Sequence, residues 1–151
     1  MITECYIKGR CDWGVGKCAV VITEKGKLVH QVAWKVPESW SLNGETVEAD
    51  QQNCEILAAI YAIKWCHQNK RGFLNMYVNT TTCQKWYMRM EFPKTREVMG
   101  GAYIEAFDAY YKDMDAHDGK HQEDRLFVEY MKKSHDSEWN WLVNDIATDV
   151  K

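Results

Sequence analysis

The chain has 151 residues, of which 46% are apolar, and its seven tryptophans and eight tyrosines supply the bulk of a core. This length predicts one domain that spans residues 1–151. The formal charge of −3 disfavours a protein that covers long nucleic acid by general electrostatic attraction, although it permits a local basic strip.

The composition also indicates a compartment. No apolar run approaches the ~18 residues that a membrane span requires, and the first ten residues lack the apolar segment of a signal peptide. None of the six cysteines forms a CxxC pair or stands at zinc-site spacing with histidine. We therefore expect reduced cysteines, a cytoplasmic location and no membrane partner.

Three strands precede the first predicted helix, because each apolar or β-branched run is bounded by turn residues. Pro37 ends the third strand. The polar stretch Glu38–Glu48 is predicted to be a loop. The predicted strands are Glu4–Lys8, Lys17–Thr23 and Leu28–Val36, with turns at Trp13–Gly16 and Glu24–Gly26.

A helix is predicted from Gln51 to about Asn69, and Gly72 breaks it. Its predicted apolar stripe contains a single acid, Glu55, at one edge. A carboxylate at such a seam must be paired or functional, because burying it alone is costly. The stripe consists of Cys54, Leu57, Ala58, Tyr61, Ala62 and Trp65, with 3–1–3–1–3 spacing.

The second half alternates strands and helices, which predicts a mixed sheet with helices on its faces. Ser137 is the expected N-cap of the last helix. The strand Leu74–Val78 must run parallel to the first strand, because a helix intervenes. The further predicted elements are helices at Thr80–Met90, Gly101–Met114 and Glu138–Val150, a strand at Arg125–Met131 and a loop at Asp115–Asp124.

Four motifs in this order resemble those of the ribonuclease H family over nearly the whole chain. Tyr6–Cys11 stands where the family has a strand ending in D-G-S, and Gln51–Ala58 where it has N-N-x-x-E-L-x-A. Val78–Thr80 replaces T-D-S, and Lys133–His135 replaces K-G-H, with Asp145 ten residues after the histidine. The resemblance implies the ribonuclease H-like fold, an α/β fold with a mixed five-stranded sheet and helices on both faces.

The resemblance also implies a catalytic site that this chain does not fully keep. Family members cut the RNA strand of an RNA–DNA hybrid with two Mg²⁺ ions held by four carboxylates. The four corresponding positions here are Lys8, Glu55, Asn79 and Asp145, with a summed formal charge of −1 instead of −4. His135 corresponds to the family's loop histidine, which is thought to help the product leave.

The cation at position 8 decides the expectation about metal. Two unit charges ~4 Å apart interact by about 4 kcal/mol at an effective dielectric of 20, and a divalent ion facing Lys8 would feel roughly twice that as repulsion. We therefore expect no cofactor and hypothesise that the Lys8 ammonium lies between Glu55 and Asp145 in place of a metal. If the site is active, Glu55 and Asp145 would hold Mg²⁺ or Mn²⁺, with Asp12 or Asp136 as substitute ligands.

Several further residues are candidates for nucleic-acid contacts. Gln51 and Gln52 occupy the asparagine positions of the family's helix motif. Thr80 and Thr81 either bind phosphate at the next helix or simply cap that helix. Trp86 lies on the helix where family members touch the DNA backbone, and exposed tryptophans can stack on bases.

Three functions stay open at this point. The first is a non-catalytic relative that still binds nucleic acid such as an RNA–DNA hybrid, and we favour it. The second is a protein–protein connector within a larger assembly. The third is an active ribonuclease H with an altered metal site.

Overall fold

In a computed structural model, which describes residues 2–118, 126–130 and 137–150, five strands form the main sheet in the order β3-β2-β1-β6-β7. β1 pairs antiparallel with β2 and parallel with β6, so the predicted mixed five-stranded sheet is confirmed. The strands are β1 Thr3–Asp12, β2 Val15–Glu24, β3 Lys27–Val36, β4 Ser39–Leu42, β5 Glu45–Glu48, β6 Leu74–Val78 and β7 Leu126–Tyr130. The helices are α1 Gln51–Gln68, α2 Thr81–Arg89, α3 Glu97–Asp118 and α4 Glu138–Asp149, with a 3-10 turn at Lys94–Arg96.

Three hairpins share one kind of two-residue turn. Both turn residues have positive φ in Trp13-Gly14, Lys25-Gly26 and Asn43-Gly44, as a type I′ turn requires. The prediction of a loop at Glu38–Glu48 is wrong, because this stretch forms the β4–β5 hairpin around Asn43-Gly44. Asn-Gly between alternating residues is itself a strong hairpin signal that the polar composition concealed.

Helix α1 lies between the main sheet and α3, which explains why its predicted stripe is only partly right. Leu57, Tyr61 and Trp65 are half-buried, whereas the opposite side of the helix is fully buried. Glu55 lies within this buried side and not at its edge. The buried positions are Asn53, Cys54, Glu55, Ile56, Ala58, Ala59, Ile60, Ala62, Ile63 and Cys66.

Helix α4 covers the other face of the sheet, so helices lie on both faces as predicted. Val143 and Ala147 pack against Tyr6 and Val21 in a second apolar cluster. Ser137 caps the helix by accepting a hydrogen bond from the Trp139 amide at 3.2 Å, as expected. Trp141, on the same helix, does not join this cluster, since 64% of it is exposed.

The remaining boundaries differ modestly from the predictions. Helix α3 begins at Glu97 and continues to Asp118, so the predicted loop at Asp115–Asp124 is wrong for its first four residues. Arg125 and Met131, the ends of the last predicted strand, lie outside the described residues. Within the described part of the chain, no helix combines the length and apolarity needed to cross a membrane.

Gly9 sets the distance between α1 and β1, and its replacement tests that contact. A Cβ at Gly9 would lie 2.1 Å from the Glu55 backbone nitrogen and 2.6 Å from the Cys54 carbonyl carbon. Because neither backbone atom can move independently, we expect Gly9→Ala to lower the free energy of unfolding by about 3 kcal/mol in urea denaturation. Gly101→Ala is the control, since its Cβ meets nothing within 4 Å, and we expect it to raise stability by up to about 1 kcal/mol. Equal effects of the two changes would contradict the close contact.

Candidate functional site

Three of the predicted site residues lie together where the parallel pairing of β1 with β6 ends. Lys8 lies on β1, Glu55 projects from α1, and Asn79 directly follows β6. The Asn79 Nδ2 donates a 2.9 Å hydrogen bond to the Ile7 carbonyl, which ties the end of β6 to β1. This edge of the sheet is where ligands usually bind in folds with parallel strands.

Glu55 is fully buried and is held by two hydroxyl groups. Its Oε1 accepts hydrogen bonds from the Tyr87 hydroxyl at 3.1 Å and from the Thr80 hydroxyl at 3.4 Å. Its Oε2 is buried and has no hydrogen-bond partner among the described residues. Burial raises the pKa of Glu55 to about 7, although Tyr87, Lys8, Thr80 and Cys83 each oppose the shift. The carboxyl group therefore changes charge near neutral pH.

Tyr87 and Cys83 complete the buried surroundings of this acid and were missed from the sequence. Burial raises the pKa of both groups, that of Cys83 to about 12, and the Glu55 charge adds to each shift. Both groups therefore stay protonated beside the acid at neutral pH. Their spacing of four residues on α2 placed them on one helix face, which is the signal that could have revealed them.

Lys8 is half-buried and points to the α4 face of the sheet, because it follows Tyr6 by two residues along β1 and therefore shares its face. Burial lowers its pKa, and the nearby Glu55 charge works in the opposite direction. Lys8 forms no direct ion pair with Glu55 or Asp145 in the described part of the chain. The hypothesis that its ammonium bridges the two acids is therefore wrong in this detail, whereas its proximity to Glu55 stands.

Asp145 does not enter the buried cluster. It is exposed on α4, one turn before Thr148, whose hydroxyl accepts a 2.6 Å hydrogen bond from Arg10 Nη1. Asp12, the suggested substitute ligand, is paired with Arg10 Nε at 2.7 Å, and this hydrogen bond lowers the pKa of Asp12. His135 and Asp136 lie outside the described residues.

These donors do not suit the two Mg²⁺ ions that the resemblance implies. Mg²⁺ requires anionic oxygen ligands in near-octahedral geometry. Here Lys8 supplies a cation, Asn79 a neutral amide, and Glu55 a carboxyl group that is only partly ionised at pH 7. No three His, Cys, Asp or Glu side chains are placed to share a metal ion within residues 2–118, 126–130 and 137–150.

The two glutamines of the helix motif, Gln51 and Gln52, differ in exposure and in hydrogen bonding. Gln51 is exposed, whereas the Gln52 side-chain oxygen accepts a 2.9 Å hydrogen bond from Arg96 Nε. Arg96 also donates from Nη1 to Asp50 at 2.5 Å, and Asp50 caps α1 by accepting from the Asn53 amide at 2.7 Å. The Asp50 carboxylate thus already occupies the N-terminus of α1. The sequence did not lead us to predict this N-cap, although Asp is a favourable capping residue.

A groove runs along α2 directly beside the cluster. Thr80 is the N-cap residue of α2, as the capping interpretation expects, but its hydroxyl donates to Glu55 and forms no side-chain cap in the described structure. The groove encloses about 420 Å³. Trp86 packs against Phe92 with ring centroids 6.0 Å apart and is half-buried. The lining residues are Thr81, Thr82, Lys85, Trp86, Arg89, Glu91, Phe92 and Pro93.

Comparison with solved structures identifies the fold as ribonuclease H-like. RNase H1 from the halophilic archaeon Halobacterium salinarum NRC-1 superposes with a TM-score of 0.70 at 10% identity, covering 99% of this chain and 96% of that one. The N-terminal RNase H domain of Rv2228c from Mycobacterium tuberculosis gives 0.69 at 8% identity, over 99% and 98% of the two chains. LC11-RNase H1 in complex with an RNA/DNA hybrid gives 0.62 at 15% identity, over 97% and 96%. No protein-family model and no curated protein sequence matches the chain.

The raised pKa of Glu55 predicts a distinctive dependence of stability on pH. The native state holds this proton more tightly than the unfolded chain, so stability should fall as pH rises from about 4.5 to about 7. Glu55→Gln should remove this fall and raise the free energy of unfolding above pH 7 by about 3 kcal/mol. Urea denaturation across the pH range measures both effects. The exposed Glu105→Gln is the control, and parallel profiles for the wild type and Glu55→Gln would contradict the prediction.

Proposed function

We propose that this protein, which has the ribonuclease H-like fold, binds RNA–DNA hybrid without cutting it by the two-metal route. The observation that carries the proposal is the half-buried Lys8 beside Glu55, at the strand ends where the resemblance calls for carboxylates. An ammonium at this position repels divalent cations and attracts a phosphate group. The same substitution therefore removes catalysis and keeps an anchor for a nucleic-acid backbone.

The α2 groove supports a hybrid as the ligand. Its residues Lys85 and Arg89 lie one turn apart, and α2 begins two residues after Asn79. Positive side chains next to a half-exposed indole suit phosphate and sugar groups of a strand. The hybrid bound to LC11-RNase H1, a protein with this fold over nearly its whole length, makes the same class of ligand a reasonable choice here.

Binding can be tested with a short RNA–DNA hybrid labelled on its DNA strand. We expect salt-dependent binding in fluorescence anisotropy, because Lys8, Lys85 and Arg89 would replace counterions on phosphates. Replacing Lys85 and Arg89 together by glutamine should reduce the slope of log affinity against log salt by about 2. The matched control replaces the exposed Lys64 and Lys70 by glutamine. Failure of the wild type to bind at moderate salt would reject the proposal and favour the protein–protein connector.

Catalysis is tested by restoring the carboxylates. We expect no cleavage of the hybrid by the wild type in Mg²⁺ or Mn²⁺. The double variant Lys8→Asp with Asn79→Asp should bind Mg²⁺ more tightly in calorimetry, because it changes the formal charge of the four positions from −1 to −4. Cleavage by this variant would show that the rest of the site is competent.

The single variant Lys8→Asn separates loss of the cation from gain of carboxylates. It removes the repulsion but adds no anionic ligand, so we expect weaker metal binding than in the double variant. Metal-dependent cleavage by the wild type that Glu55→Gln abolishes would contradict the proposal and favour an active nuclease with an altered site.

A further inference from the structure

A row of three cations crosses the main sheet away from the α2 groove. The register places Arg10 opposite Lys17 and Lys17 opposite Lys35. Neighbouring strands lie about 4.8 Å apart, so the three side chains form one short line. Like charges directly opposite each other destabilise a sheet, so this arrangement favours an anionic ligand.

Helix α4 fixes two of these cations on its own side of the sheet. Arg10 Nη1 donates to the Thr148 hydroxyl at 2.6 Å, and Lys17 Nζ donates to the Thr148 carbonyl at 3.2 Å. Lys35, the third cation, is exposed. Asp12 pairs with Arg10, and its charge also acts on Lys17. The row is therefore partly prepositioned and keeps a positive charge toward β3.

An unusual tryptophan, Trp13, lies at the end of the hairpin formed by β1 and β2, which carries Arg10 and Lys17. Trp13 is the first residue of the type I′ turn between β1 and β2, has a φ of 55°, and is 100% exposed. This turn position favours Asn, Asp or Gly, so neither local conformation nor burial accounts for an indole there. Such a conflict between local preference and structure is typical of a functional position.

We propose that the Trp13 turn and the row Arg10–Lys17–Lys35 bind single-stranded nucleic acid, with phosphates on the row and a base stacked on Trp13. A fully exposed indole offers its face to an unstacked base, which a duplex does not present. This surface is separate from the α2 groove, and the inference of single-strand binding does not rest on the proposed binding of the hybrid. An acidic polypeptide would meet the cations but would gain little from the indole.

The test uses labelled oligouridylate and oligodeoxythymidylate of about 12 nucleotides, within the usual range of site sizes. Trp13→Asn should weaken single-strand binding about tenfold and remove the quenching of tryptophan fluorescence by the oligonucleotide. The same change should raise the melting temperature, because Asn suits the turn. Lys35→Gln should reduce the salt slope by about 0.7.

Two matched variants control for the turn and for the indole. Lys25→Asn alters the same type of turn at the other end of β2, and Trp141→Gln removes another exposed tryptophan. We expect both to bind single strands within about twofold of the wild type. The inference is overturned if Trp13→Asn also stays within that range, or if the controls weaken binding as much as Trp13→Asn does. Equal competition by polyglutamate would likewise overturn it in favour of an acidic partner.

Parallel titration with the RNA–DNA hybrid separates this inference from the proposed function. Trp13→Asn should leave hybrid affinity within about twofold, whereas the α2 double variant should leave single-strand affinity unchanged. A wild type that binds single strands but not the hybrid would reject the proposed function and leave this surface intact. A wild type that binds the hybrid but not single strands would reject only the inference about the Trp13 surface.

Discussion

The site depends on the close approach of α1 to the hairpin of β1 and β2. A Cβ at Gly16 would lie 2.4 Å from Val36 Cγ2 and 2.6 Å from Cys54 Sγ, and Gly9 is more crowded still. Side chains at these two positions would force the helix away from the sheet. Because the helix lies so close, Glu55 is carried into the interior at the ends of the central strands, and the chemistry of the site follows from that placement.

The buried carboxyl group of Glu55 affects the ionisation of the groups around it. Among the described residues, the Tyr87 and Thr80 hydroxyls donate to Glu55, and burial outweighs them, so its pKa stays near 7. Lys8 favours the ionised form from the neighbouring strand, while its own burial favours the neutral amine. The positive charge of Lys8 and the negative charge of Glu55 therefore stabilise each other. A divalent ion would have to replace this interaction, and its ligands would be one partly ionised acid and one neutral amide.

Two groups of surface cations, in the α2 groove and along the row Arg10–Lys17–Lys35, have different geometry. The α2 groove starts next to Thr80, which donates to Glu55, and combines cations with a half-buried indole. The hairpin end is open, with its cations aligned by strand register and its indole fully exposed. A groove that places cations beside a half-buried ring suits the sugar-phosphate backbone of a strand, whereas an open strip with a projecting ring suits an unstacked base.

The amino-acid sequence was sufficient to predict the five strands of the main sheet, their mixed pairing and the helices on both faces. These features follow from local periodicity and from turn residues, which act over a few positions. The four motifs also located Lys8, Glu55 and Asn79, because their spacing along the elements places them at one end of the sheet. Asn43-Gly44 contained the signal for the second hairpin as well, although polar composition favoured a loop.

The tertiary structure alone decided which side of α1 is buried, because α3 covers a second side that periodicity cannot distinguish. It also decided that Tyr87 donates to Glu55, that Asp145 stays exposed, and that Trp141 lies outside the core. The line of Arg10, Lys17 and Lys35 depends on register between strands that are distant in sequence. Desolvation, hydrogen-bond partners and register all arise from packing between remote segments, and local sequence preferences do not encode them.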